Sequence, residues 1–256
     1  MSRPRIRIIH HLARSGGTLI SRCLGAMRGV VLLSEMHPAG SQFYNPLQQA
    51  AEWYNLLDDA DQERINQQPP DFAGAIALIT ERCKDRGKTL LLRDWSHLDY
   101  TGVPFCKPGF KPRLDLELTD RFKLVCTSSV RHPLDQWLSL EKQMPALGRI
   151  HLETYMHGVR RFAEQAVNTG FIRYEDFTQD PEQGVRLLCK RLEIEYDPDF
   201  INHWADNERV TGDVAGNRAG GLIKNLSRQQ VPDGLQQRLA ACEDYQQVLS
   251  LLGYDP

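Results

Sequence analysis

The sequence has no uninterrupted apolar run approaching the roughly 18 residues that mark a membrane span. Its N-terminus, Met1-Ser2-Arg3-Pro4-Arg5-Ile6-Arg7, is basic, but the apolar run behind it is broken by His10, His11 and Arg14, so it lacks the shape of a secretory signal. Charge of one sign is also missing: 31 Lys and Arg stand against 33 Asp and Glu, a formal net charge of −2 at pH 7. Nucleic-acid binding calls for a basic excess, so no such partner is expected. The six cysteines, Cys23, Cys83, Cys106, Cys126, Cys189 and Cys242, include no Cys-x-x-Cys pair. Reduced thiols in a cytoplasmic protein are the expectation. Repeats, low-complexity tracts and linkers are absent too, and residues 1–256 read as one domain.

What is present is a regular alternation of apolar runs. Residues 5–12 read as a buried strand, broken by Arg14-Ser15-Gly16-Gly17 and followed by a helix over 18–27. Further strands are predicted at 30–33, ending at Ser34-Glu35, and at 88–93, 122–130 and 171–174. Between and after them, helices are predicted over 46–66, 71–86 (closed by Gly87), from Pro133 towards Lys142, 151–168, 180–192, and near 197–205 and 232–252. Residues 98–120, with Pro104, Pro108, Pro112 and no sustained period, read as a long loop capping a site. Alternating strands and helices predict an α/β domain with a central parallel sheet covered by helices on both faces.

Two segments point to anion chemistry. Ala13-Arg14-Ser15-Gly16-Gly17-Thr18 lies between the first strand and its helix, where backbone N–H groups and the helix N-terminus bind phosphate or sulfate. It lacks the lysine of a GxxxxGK[ST] loop, and Arg14 supplies the cation instead. After the strand 122–130, Arg131 leaves the strand end, Pro133 opens a helix and Ser139 lies two turns in, so guanidinium and hydroxyl can hold one anion.

These segments resemble the P-loop sulfotransferases, the bacterial and tyrosylprotein-type members in particular. Their 5′-phosphosulfate loop is similar to residues 13–18, and their Arg-x-Pro-x₅-Ser signature for the 3′-phosphate is matched by Arg131, Pro133 and Ser139. Arg173-Tyr174-Glu175-Asp176-Phe177, followed by Asp180-Pro181-Glu182, resembles the family's Tyr-Glu-Asp stretch and next helix, so the matches run in family order over residues 6–192. Ala13-Arg14 stands where many members have Pro-Lys, and Gly17 replaces a frequent Thr or Ser. The C-terminal Arg-Lys-Gly element has a partial match in Arg218-Ala219-Gly220-Gly221. The resemblance implies a P-loop NTPase-like fold and 3′-phosphoadenosine 5′-phosphosulfate (PAPS) as donor, with 3′-phosphoadenosine 5′-phosphate (PAP) as product and no metal. It assigns Arg14, Ser15, Gly16, Gly17, Thr18, Arg131, Ser139 and Arg218 to the nucleotide.

The implied reaction moves a sulfuryl group in line to an acceptor hydroxyl or amine, with charge growing on the leaving phosphate. Arg14, the loop amides and Thr18 would meet that charge, and Arg93 would contact the sulfuryl or acceptor side. Three residues compete as the general base: Glu35, placed like the glutamate of tyrosylprotein-type members; His97, displaced by two positions from the histidine of cytosolic members; and His37. Asp94 would pair with an arginine or, in a kinase, hold Mg²⁺. His10 and His11 face opposite sides of one strand and cannot chelate one ion together, and no metal site is expected. A P-loop small-molecule kinase and a non-catalytic nucleotide-binding module are the alternatives. The acceptor, whether small molecule, saccharide, lipid headgroup or peptide, is open.

Overall fold

A computed structural model describes residues 3–103, 107–143, 150–212, 223–224, 228 and 230–255. Five strands, β1 (Arg5–His11), β2 (Val30–Met36), β3 (Thr89–Asp94), β4 (Lys123–Val130) and β5 (Phe171–Arg173), form one sheet. Its order is β2-β3-β1-β4-β5 and every pairing is parallel. All the C-terminal strand ends therefore open on one edge, where open α/β sheets bind ligands.

Period-2 alternation splits the apolar residues between two layers. Ile6, Ile8, Val31, Leu33, Leu90 and Leu92 pack on one face. That face is covered by α2 (Pro46–Tyr54), α3 (Asp59–Gln67), α4 (Phe72–Asp85) and α6 (Arg113–Leu118), the last preceded by the short α5 (His97–Tyr100). Ile9, Leu32 and Leu91 turn to the other face, under α1 (Gly17–Gly25), α10 (Pro181–Leu192) and α11 (Phe200–His203). A third apolar cluster joins α7 (Pro133–Glu141), α8 (Leu152–Thr169), α12 (Leu235–Ala240) and α13 (Glu243–Leu252). The short α9 (Tyr174–Gln179) links β5 to α10.

The structure corrects the sequence reading at three places. The helical stretch 46–66 is two helices, parted at Asn55, whose φ of 48° ends α2 in a left-handed cap. The expected loop 98–120 contains α5 and α6, because Leu114 and Leu118 are fully buried and Asp99 anchors the turn by accepting from the Arg113 backbone N–H at 2.8 Å. Residues 104–106 lie outside the described residues. Finally, β2 runs on past Leu33 through a bulge: Leu33 pairs with Leu92 and Met36 with Asp94, so three steps on β2 match two on β3.

Candidate active site

The loop after β1 is a tight turn. Leu12 O accepts from the Ser15 amide at 3.3 Å and from its hydroxyl at 2.8 Å. Arg14 (φ 66°) and Gly16 (φ 85°) are both left-handed. Glycine is required twice here for different neighbours. A Cβ on Gly16 would overlap the Tyr174 ring, and a Cβ on Gly17 would overlap the His11 ring. The backbone thus passes between two side chains into α1, whose first-turn amides have no partner inside the helix.

The Arg131-x-Pro-x₅-Ser segment comes to this loop. Arg14 Nε donates to Ser139 Oγ at 3.0 Å, and Arg131 Nη1 donates to the Arg14 carbonyl at 3.2 Å. Gln136 Nε2 donates to the Ala13 carbonyl at 2.7 Å. The Arg131 guanidinium lies 5.1 Å from the centre of the Tyr174 ring. Glu175 accepts from the His132 amide and from the Tyr254 hydroxyl, at 3.0 and 2.7 Å, which ties the third family-like segment to the second. Arg218 lies outside the described residues.

Beside the loop stands a buried pair. Arg93 Nη2 is 2.9 Å from Glu35 Oε1, and both side chains are buried. The bulge explains how Glu35 gets there: alternation from Leu33 would point it into the α4–α6 face, whereas the extra residue and a φ of 58° turn it to the face of Arg93. A guanidinium has five N–H donors, and four hydrogen bonds leave from Arg93. Nε donates to His11 Nε2 at 2.9 Å. Nη1 donates to Ser34 Oγ at 2.8 Å and to the Thr211 carbonyl at 2.7 Å. Nη2 donates to Thr18 Oγ1 at 3.2 Å and also stands in the ion pair with Glu35. Burial lowers the arginine's pKa and raises that of Glu35, in each case against the pull of the partner. Glu35 Oε2 is buried and has no hydrogen-bond partner. The cation beside Glu35 is therefore Arg93.

The two competing histidines are engaged otherwise. His37 Nδ1 accepts from the Ala39 amide at 3.1 Å, and Nε2 lies 3.2 Å from Asp99. His97 Nε2 accepts from Trp95 Nε1 at 2.5 Å, and burial, with Arg93 and His37 nearby, lowers its pKa to about 3. Asp94, expected beside an arginine, instead turns to the opposite face, where Oδ2 is 2.8 Å from His10 Nδ1 and accepts from Ser96 Oγ at 2.5 Å. His11, Ser34, Tyr174 and Thr211 were not singled out as site residues. The glycine pair was the available signal for His11 and Tyr174; nothing in the sequence pairs Thr211 with Arg93.

No protein-family model matches the chain, and no curated protein matches it in sequence. Solved structures do match its fold. A sulfotransferase domain from the curacin biosynthetic pathway is 18% identical with a TM-score of 0.65, over 100% of this chain and 99% of that one. Mouse sulfotransferase SULT7A1, in complex with PAP, is 13% identical with a TM-score of 0.52, over 99% of this chain and 90% of that one. The chain has the α/β fold of the sulfotransferases.

Proposed function

We propose that the chain is a PAPS-dependent sulfotransferase, a single domain of 256 residues. The observation that carries this reading is the meeting of two distant segments: Arg14 and Ser139 are hydrogen-bonded, with Arg131 on the Arg14 carbonyl. A kinase or a generic phosphate loop has no use for the second segment. The site fits the donor, because it joins a glycine loop and two arginines to a carboxylate with one oxygen unpartnered. When bound, PAPS supplies the sulfuryl group, which passes in line to an acceptor oxygen or nitrogen.

The chain's own residues divide the work. Arg131 and Ser139 hold the 3′-phosphate by charge-assisted bonds. Arg14, the amides of Ser15 to Thr18 and the Thr18 hydroxyl meet the negative charge on the leaving phosphate. Glu35 takes the acceptor's proton at Oε2, while Oε1 stays fixed on Arg93. Arg93 positions Glu35 through the ion pair and Thr18 through a hydrogen bond. Phe43 and Tyr44 edge onto Trp95, with ring centres 6.3 and 4.9 Å away, and form an aromatic wall for the acceptor. Small-molecule, saccharide and peptide acceptors belong in one screen. Among the described residues no helix is long and apolar enough to cross a membrane, and five cysteines are free thiols, which suits the cytoplasm.

The kinase alternative loses its carboxylate, since Asp94 is spent on His10 and Ser96. Heating the protein with PAP, with ATP and Mg²⁺, and with buffer alone tests the choice. PAP should raise Tm and ATP should not. Transfer of labelled sulfate to an acceptor without added Mg²⁺ should follow; an absolute Mg²⁺ requirement would overturn the reading.

A further inference from the structure

On the sheet face opposite Arg93, three side chains converge that the proposed chemistry does not use. His10 (β1), Asp115 (α6) and Cys126 (β4) each offer one ligand-type atom, and these atoms lie within 4.8 Å of one another. His10 Nε2 and Asp115 Oδ1 are 3.3 Å apart, and Cys126 Sγ is 3.9 Å from Asp115 Oδ2. Ligands around a tetrahedral zinc ion, bound at 2.0–2.3 Å, stand about 3.3–3.7 Å from each other, so small side-chain adjustments would close the set. His10 is fully buried, and its Nε2 and Asp115 Oδ1 face only each other, at 3.3 Å, with no hydrogen bond to any other group.

The other nitrogen supplies a second, independent observation. His10 Nδ1 is hydrogen-bonded to Asp94 Oδ2 at 2.8 Å, and Asp94 is itself fixed by Ser96. A carboxylate on one ring nitrogen, leaving the other aimed at a shared point, is the arrangement that orients histidine ligands of zinc. We propose that His10, Asp115 and Cys126 bind a divalent metal of the zinc class, with solvent as fourth ligand, pinning α6 to strands β1 and β4. Asp115 and Cys126 are partly exposed, which gives the ion a way in. On binding, the metal displaces the Cys126 thiol proton, and the His10 Nε2 proton where the ring carries one, to solvent.

The test uses the full chain, stripped with chelator and titrated with Co²⁺ and then Zn²⁺. Co²⁺ should give a stoichiometric thiolate-to-metal absorption band that Zn²⁺ abolishes, and Zn²⁺ should raise Tm. Cys126→Ser should lose the band and Cys242→Ser should keep it. Asp115→Asn, a change at a partly exposed position, should weaken Zn²⁺ binding by about 10-fold or more. No band in the unaltered chain, a band that survives Cys126→Ser, or a Tm indifferent to Zn²⁺ would overturn the site and leave His10 as a structural bridge between two aspartates. PAP binding by the stripped protein is read separately, so this proposal and the sulfotransferase reading fail independently.

Discussion

Glu35 holds a left-handed backbone that glutamate seldom adopts, and so does Arg14 across the site. Strain of this kind persists where surrounding contacts enforce it, and both residues are pinned, Glu35 by Arg93 and Arg14 by Ser139. Glu35→Gln keeps the shape and removes the basicity. It should lower kcat by about 10²–10⁴, the usual worth of a positioned base, with PAPS affinity held. His97→Ala should leave kcat nearly unchanged, because a ring with a pKa lowered to about 3 is a weak base. Burial raises the Glu35 pKa, and the base works only when ionised. The rate should therefore fall on acidification through a midpoint above the ordinary carboxylate range, and Glu35→Gln should flatten that limb of the kcat/KM profile. A limb that persists in the variant would remove Glu35 from the role. At the other end of the nucleotide, Arg131→Ala should weaken PAP by about 1.5–3 kcal/mol, the worth of a hydrogen bond to a charged group. The 3′-dephospho nucleotide should be weakened far less, as calorimetric titration of the two would report.

Elements meet closely where α8 crosses the end of α5. Gly158 on α8 faces the Tyr100 carbonyl so closely that a Cβ would overlap it. Backbone cannot swing aside as a side chain does. Gly158→Ala should thus push α8 off α5 and lower stability by about 1–3 kcal/mol, the usual cost of overpacking, read as a lower urea midpoint. The same scale shows where the sequence was readable. Strands and helices along most of the chain followed from period and punctuation, since each apolar run had to bury against a neighbour. The bulge in β2 did not, because nothing in Val30-Val31-Leu32-Leu33-Ser34-Glu35-Met36 announces an extra residue; only pairing with β3 reveals that Ser34 and Glu35 share a face. Nor was α6 visible: prolines before it masked a helix whose two leucines complete the core.

Over the whole molecule, residues 252–255 lock the turn at His132 beside Arg131. Arg173 donates to the carbonyls of Leu252 and Gly253, His132 Nε2 is 3.0 Å from the Asp255 carbonyl, and Tyr254 reaches Glu175, which also holds the turn at His132. Tyr254→Phe should cost about 0.5–1.5 kcal/mol of stability, one buried hydrogen bond, and should weaken PAP by loosening the turn that aims Arg131. Denaturant melts and PAP titration check the two effects together; a loss of stability with unchanged PAP affinity would uncouple the tail from the site. Strand order was the other feature hidden at this scale, since the sequence gives succession and not adjacency. The strand made first sits in the middle: Arg7 of β1 lies against Leu91 of β3, and Arg5 against Lys123 of β4. At about 5–20 residues per second during synthesis, β1 waits several seconds with both edges open. A chain halted on the ribosome after β3 can pair one of them, and the cradle for Arg14 and Arg131 exists only once β4 and α7 have emerged.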